Sequence, residues 1–135
     1  MIYLKTYESY NDINYDIIID DIKDICLELS DDGFNIVIVE PNYKNLNRLQ
    51  VSIILSHNME KADLFELGDV KDTILRIGDY LNKYKFIISE IDSLAWIKKD
   101  GSIRQPSKLD LSFNIEEWDN DQEAMLVNIY YDINE

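Results

Sequence analysis

The residues able to do chemistry are few. His57 is the one histidine, and its neighbours are Ser56, Glu60, Asp63 and Glu66. An imidazole beside a hydroxyl is half of a nucleophilic device, and an imidazole among carboxylates is half of a metal site. Neither half is completed, because there is no second histidine and no cluster of thiolates. Cys26, the one cysteine, cannot form an internal disulfide. It falls on the apolar stripe of a predicted helix, where a thiol behaves as a small buried hydrophobe. Gly33, Gly68, Gly78 and Gly101 stand singly, so no glycine-rich loop is available to cradle phosphate. Asp119-Asn120-Asp121-Gln122-Glu123 alternates oxygen ligands without the central glycine or closing glutamate of a calcium loop, and reads as a solvated acidic turn. Carboxylate pairs are too abundant to mark a general acid, which needs a raised pKa in a pocket. No catalytic residue, metal or cofactor is expected.

Charge carries more information. The 135 residues have a formal net charge of −14. That opposes binding to nucleic acid or to an anionic membrane, and it favours solubility and basic partners. Asp16, Asp20, Asp24 and Glu28 recur at steps of four, with Asp12 before and Asp32 after, which predicts an acidic helix face. Like charges at that spacing cost about 0.2–0.5 kcal/mol per pair, so the row costs on the order of 1–2 kcal/mol. Glu28 and Asp31 also fall where a single long helix would end, the end that disfavours anions. Such a row raises nucleic-acid mimicry as a reading. One carboxylate per four residues is one charge per ~6 Å of helix axis, against ~1.7 Å in duplex DNA. A mimic would therefore need Glu116, Glu117, Asp119, Asp121 and Glu123 on the same side. Against this background Lys98, Lys99, Arg104 and Lys108, with Trp96 and Ile97, form a basic and aromatic cluster at an expected hairpin tip. It reads either as a protein-docking loop or as a solubilised edge hairpin.

The elements that must position these residues follow from periodicity. Ile18, Ile22, Ile25, Cys26 and Leu29 predict a helix over 12–30, with Gly33 as its stop. Residues 34–40, with β-branched Ile36, Val37, Ile38 and Val39, predict a buried strand, and the alternating residues 48–56 a second strand, separated by turn chemistry at 41–45. Residues 57–68 predict a polar connection with helical character over 62–67. A second helix is predicted over 69–83, capped by Asp69, with Val70, Ile74, Ile77 and Leu81 inward. A strand over 84–90, extended through Leu94 and Trp96 after a bend, leads to a tight turn at Asp100-Gly101. Leu109, Leu111, Phe113 and Ile115 alternate with polar residues and predict a strand over 108–116. Residues 125–133 predict the last strand. Asp21-Ile22-Lys23-Asp24 parallels Asp69-Val70-Lys71-Asp72, and Ile36–Glu40 parallels Phe86–Glu90 after the second helix. This is either an internal αββ-αββ repeat or a chance likeness of two amphipathic helices. The expected fold is a single α+β domain over 1–135: a two-layer sandwich with two helices on one face of an antiparallel sheet, plus a C-terminal strand.

Leu4, Lys5, Tyr7, Glu8 and Tyr10 give a Leu-Lys-x-aromatic-Glu-x-aromatic pattern after the start. It resembles the leader of many small accessory proteins of large tailed bacteriophages. The resemblance implies a packaged or accessory role, with Glu8 as the cleavage position if the leader is a packaging peptide. Alternatively, Tyr3, Leu4, Tyr7 and Tyr10 cover a hydrophobic edge. No signal peptide and no apolar run long enough for a membrane span is read, so host cytoplasm or virion interior is the expected location. The expected function is non-catalytic binding to a protein partner. The alternatives are an acidic inhibitor of a nucleic-acid-binding defence enzyme, and a small metal-dependent enzyme around His57.

Overall fold

The computed structural model describes residues 13–41, 48–55, 63–99 and 103–134, without the side chains of 96–99, 103 and 104. Asn14 starts the first helix, α1 (Tyr15–Ile25): its side-chain oxygen accepts from the N–H groups of Asp16 and Ile17. The predicted single helix is interrupted at Cys26 and resumes as α2 (Leu27–Asp31). The interruption is a kink and not a gap, since Cys26 N–H donates to Ile22 O at 2.9 Å and Ser30 N–H donates to Cys26 O at 3.0 Å. No glycine or proline marks the kink; burial of Cys26 and Leu29 in one core accompanies it. Gly33 ends α2 as expected, at φ 96°. Phe34 N–H reaches back to Leu29 O, and Gly33 N–H to Ser30 O, which closes a Schellman turn with Leu29 and Phe34 buried together.

β1 (Asn35–Val39) and β2 (Arg48–Ile54) follow as an antiparallel pair; β1 is not the buried strand expected but lies at the sheet edge, with Val37 and Val39 exposed on the face away from the helices. A two-residue strand, β3 (Phe65–Glu66), runs directly into α3 (Leu67–Asn82). This replaces the helical character expected before residue 67. Glu66 and not Asp69 is the N-cap of α3, and its side chain makes no capping bond. Distant backbone does that work: Leu67 N–H donates to Gln122 O and Gly68 N–H to Asn120 O. The predicted stripe holds, with Val70, Ile74, Ile77 and Leu81 all buried.

β4 (Phe86–Lys99) is one long strand that runs through Leu94 and Trp96; its register shift falls between Ile88 and Glu90, earlier than the bend expected after residue 90. β5 (Ile103–Leu109) pairs back on it from Lys99 opposite Ile103, so the hairpin exists and its Asp100-Gly101 turn lies outside the described residues. The strand expected over 108–116 is overturned. The chain leaves the sheet after Leu109 and forms a 3-10 turn at Ile115–Glu117. Local bonds win there: Asn114 N–H donates to Ser112 Oγ, and the Trp118 indole N–H donates to Ser112 O at 2.7 Å. Ile115 and Trp118 are buried by this turn, while Phe113 remains exposed. β6 (Glu123–Ala124) pairs with β3, and β7 (Leu126–Ile133) completes the main sheet.

The main sheet is antiparallel throughout, in the order β1-β2-β7-β4-β5. Across its centre Leu49, Val51 and Ile53 stand opposite Tyr131, Ile129 and Val127, and Ile91 stands opposite Ile129. These residues share one buried cluster with Ile18, Ile22, Leu29, Val70, Ile74, Ile77 and Leu81 of the helices. Helices and sheet thus close on one apolar face, giving a mixed α+β fold. α1 and α3 run antiparallel: Tyr80 near the end of α3 donates to Asp21 of α1 at 2.5 Å, while the start of α3 lies by α2. No helix among the described residues is long and apolar enough to cross a membrane.

Candidate functional site

The acidic row divides at the kink. Asp16, Asp20 and Asp24 ride on α1, and all are exposed. Glu28, also exposed, belongs to the first turn of α2 and not to the end of one long helix. α2 spans only five residues, so Glu28 and Asp31 still lie within a turn of its end, where the dipole disfavours anions. Antiparallel packing of the helices brings Glu28 and Asp32 to the start of α3. There they line a cleft of about 550 Å³ with Asp69, Asp72 and one cation, Arg76. A second cleft, of about 360 Å³, adjoins it at the start of β1, with Phe34, Leu55 and Phe65 in its walls. Asp32 and Asp69 line both clefts.

The acidic turn is held against the same end of α3. Besides the backbone bonds to Leu67 and Gly68, Lys71 Nζ donates to Trp118 O at 3.0 Å and to Asn120 Oδ1 at 3.2 Å. Asp119 Oδ1 accepts from Asp121 N–H, so the carboxylate that would start a calcium loop is committed to its own turn. No group of acids, histidines or cysteines able to hold a metal occurs among the described residues. His57, Ser56 and Glu60 lie outside the described residues; Asp63 and Glu66 are exposed. Cys26 is fully buried, and burial pushes its thiol up to about 11 against an opposing effect of Arg76. It is no nucleophile in this setting.

The basic cluster is spread along the β4–β5 hairpin. Lys98 is opposite Arg104, Trp96 opposite Pro106, and Lys99 opposite Ile103. Lys108 is not at the tip: it stands opposite Leu94 and contacts Asp92 at 3.4 Å. The side chains of Trp96, Lys98, Lys99 and Arg104 lie outside the described residues, as does the 1–10 leader.

The sheet face away from the helices carries a second polar group that the sequence did not single out. Arg48 donates to both carboxylate oxygens of Asp132, at 3.1 and 3.4 Å, and sits 5.2 Å from the centre of the Tyr130 ring. The hydrogen bond to Asp132 raises the Arg48 pKa further, so the guanidinium is permanently charged. Arg48 and Asp132 are opposite in register, which only the strand order reveals. Exposed Val37 and Val39 lie on this face at the β1 edge. The chain matches no family model, no curated protein and no solved structure.

Proposed function

We propose that this chain is a non-catalytic, acidic accessory protein of the large-tailed-phage type that works by binding a basic protein partner, in the host cytoplasm or the virion interior. One observation carries the reading. Carboxylates of α2, the start of α3 and the 119–123 turn collect around the start of α3, those of α1 lie exposed along the preceding helix, and among the described residues only Asp132 and Asp92 are held in ion pairs. Exposed charge left unneutralised steers encounter with the opposite charge. In architecture, we read the helices as one layer over the sheet and the two helix-plus-hairpin units as copies of one unit, set on either side of β7.

A second reading, an inhibitor occupying a nucleic-acid site, is favoured by the docking of the acidic turn at α3 beside the cleft that holds Glu28 and Asp32. The test is capture of partners from host lysate on immobilised protein over a salt series. The acidic-binding reading expects a specific protein whose retention falls steeply with salt. Displacement of the chain from that partner by duplex DNA would favour the inhibitor. Salt-insensitive retention, or no specific partner, would overturn both.

A further inference from the structure

The two edges of the main sheet are built in opposite ways. β5 carries Pro106 in its middle and Lys108 near its end, and both are devices that stop another strand from pairing. β1 is Asn35-Ile36-Val37-Ile38-Val39: four β-branched residues, no charge and no proline. Among the described residues, β1 pairs only with β2, and no strand takes its outer edge. Ile36 and Ile38 pack half-buried against the core, while Val37 is 45% and Val39 42% exposed on the opposite face. An added strand would continue both faces.

We propose that β1 is a docking edge that accepts, as a sixth strand, an extended segment of a partner protein with an alternating apolar core and basic residues at its ends. The proposal rests on the protein-binding reading above and supplies its site and chemistry. Charge selects the occupant. Exposed Asp31 and Asp32 precede β1 and exposed Glu40 follows it. A second copy paired antiparallel about Val37 would set Glu40 of each chain near Asp31 and Asp32 of the other, between chains of net charge −14. The flanks thus oppose self-pairing and attract a basic strand. Asp32 stands in the turn that leads into β1, so a carboxylate flanks the start of the strand. Main-chain bonds along β1 supply affinity, and the acidic ends supply selection.

The probes are two fluorescent peptides with the same Thr-Val-Thr-Val-Thr core, one with a Lys-Lys pair at each end and one with Glu-Glu. Anisotropy at low salt reads affinity, and amide hydrogen exchange reads the site. The basic-ended peptide is expected to bind and to slow exchange across Asn35–Val39, and the acidic-ended one is not. Val37→Lys places a gatekeeper charge on the edge and should weaken binding by about tenfold or more. Should circular dichroism show that Val37→Lys is unfolded, Val39→Lys replaces it. No binding of the basic-ended peptide, protection elsewhere than β1, or unchanged affinity in the lysine variant overturns the proposal. Protection of β1 amides in a concentration-dependent dimer also overturns it, in favour of a second copy. A lysate partner retained equally by wild type and Val37→Lys would leave protein binding standing and remove this edge. Peptide binding at β1 with no lysate partner would do the reverse.

Discussion

Tyr131→Phe should make this protein more stable. Tyr131 lies in β7 between Leu49 and Ile88, 1% exposed, and its ring fills the centre of the core. Its hydroxyl is buried with no hydrogen-bond partner among the described residues. Burial, and secondarily the nearby Cys26 thiol, pushes the phenol well above its ordinary pKa, so the hydroxyl stays neutral. A hydroxyl taken out of water without a bond costs roughly 1–3 kcal/mol. Phenylalanine removes that cost and keeps the ring, and the void it leaves is smaller than a methyl group. The expected gain is about 1–2 kcal/mol. With a urea m-value of roughly 1–3 kcal/mol/M, the unfolding midpoint should rise by about 0.3–2 M at unchanged m. Tyr131→Leu is the control: it also removes the ring and should destabilise by about 2–4 kcal/mol. A loss of about 1 kcal/mol or more in Tyr131→Phe would mean that the hydroxyl holds a partner, and the account of this core would be wrong.

Two glycines of α3 should respond with opposite signs. A Cβ at Gly68 would stand 3.0 Å from Asn120 Cβ and 3.1 Å from its carbonyl oxygen. Gly68→Ala should therefore push the 119–123 turn off the helix and cost about 1–3 kcal/mol by urea unfolding. A Cβ at Gly78 meets nothing within 4 Å, so Gly78→Ala should gain about 0.5–1 kcal/mol, and a loss there would contradict the helix. Cys26 makes stability depend on alkaline pH. The unfolded thiol loses its proton near 9.0 and the folded one near 11, so its contribution is complete below 9.0 and is lost as pH rises toward 11. That loss is about 2–3 kcal/mol, and Cys26→Ala should flatten this part of the pH profile; an identical profile in the variant would refute it.

Local pattern was legible where one face of an element meets the core. The alternation over 48–56 and 125–133 appears as inward Leu49, Val51 and Ile53 against Val127, Ile129 and Tyr131. Gly33 was legible because only a residue free of Cβ strain sits easily at φ 96°. Where the pattern met competing hydrogen bonds, near or distant in the chain, the bonds won. Leu109, Leu111, Phe113 and Ile115 alternate cleanly, yet Ser112 and Trp118 fold that segment into a turn. Asp69 has the chemistry of a cap, yet Asn120 and Gln122 cap α3 from the far side of the chain. Asp16, Asp20, Asp24 and Glu28 are all exposed. The approach of Glu28 and Asp32 to Asp69 and Asp72 was not legible, because it depends on the helices packing antiparallel. Nor did pattern place the strands: the continuous apolar run of β1 reads as buried yet lies at the edge, while β7, with Asn128 and Asp132, lies inside the sheet.

The place of β7 has a consequence in time. β2 and β4 make no ladder with each other; each pairs with β7, the last strand of the described chain. Synthesis runs from the N-terminus at roughly 5–20 residues per second, so β2 waits on the order of 4–14 s for its inner neighbour. During that interval Val51 and Ile53 of β2 and Ile91 of β4 belong to two separate hairpins with unpaired inner edges. The nascent protein is therefore most prone to wrong partners shortly before its last strand emerges, and insertion of that one strand closes both edges at once.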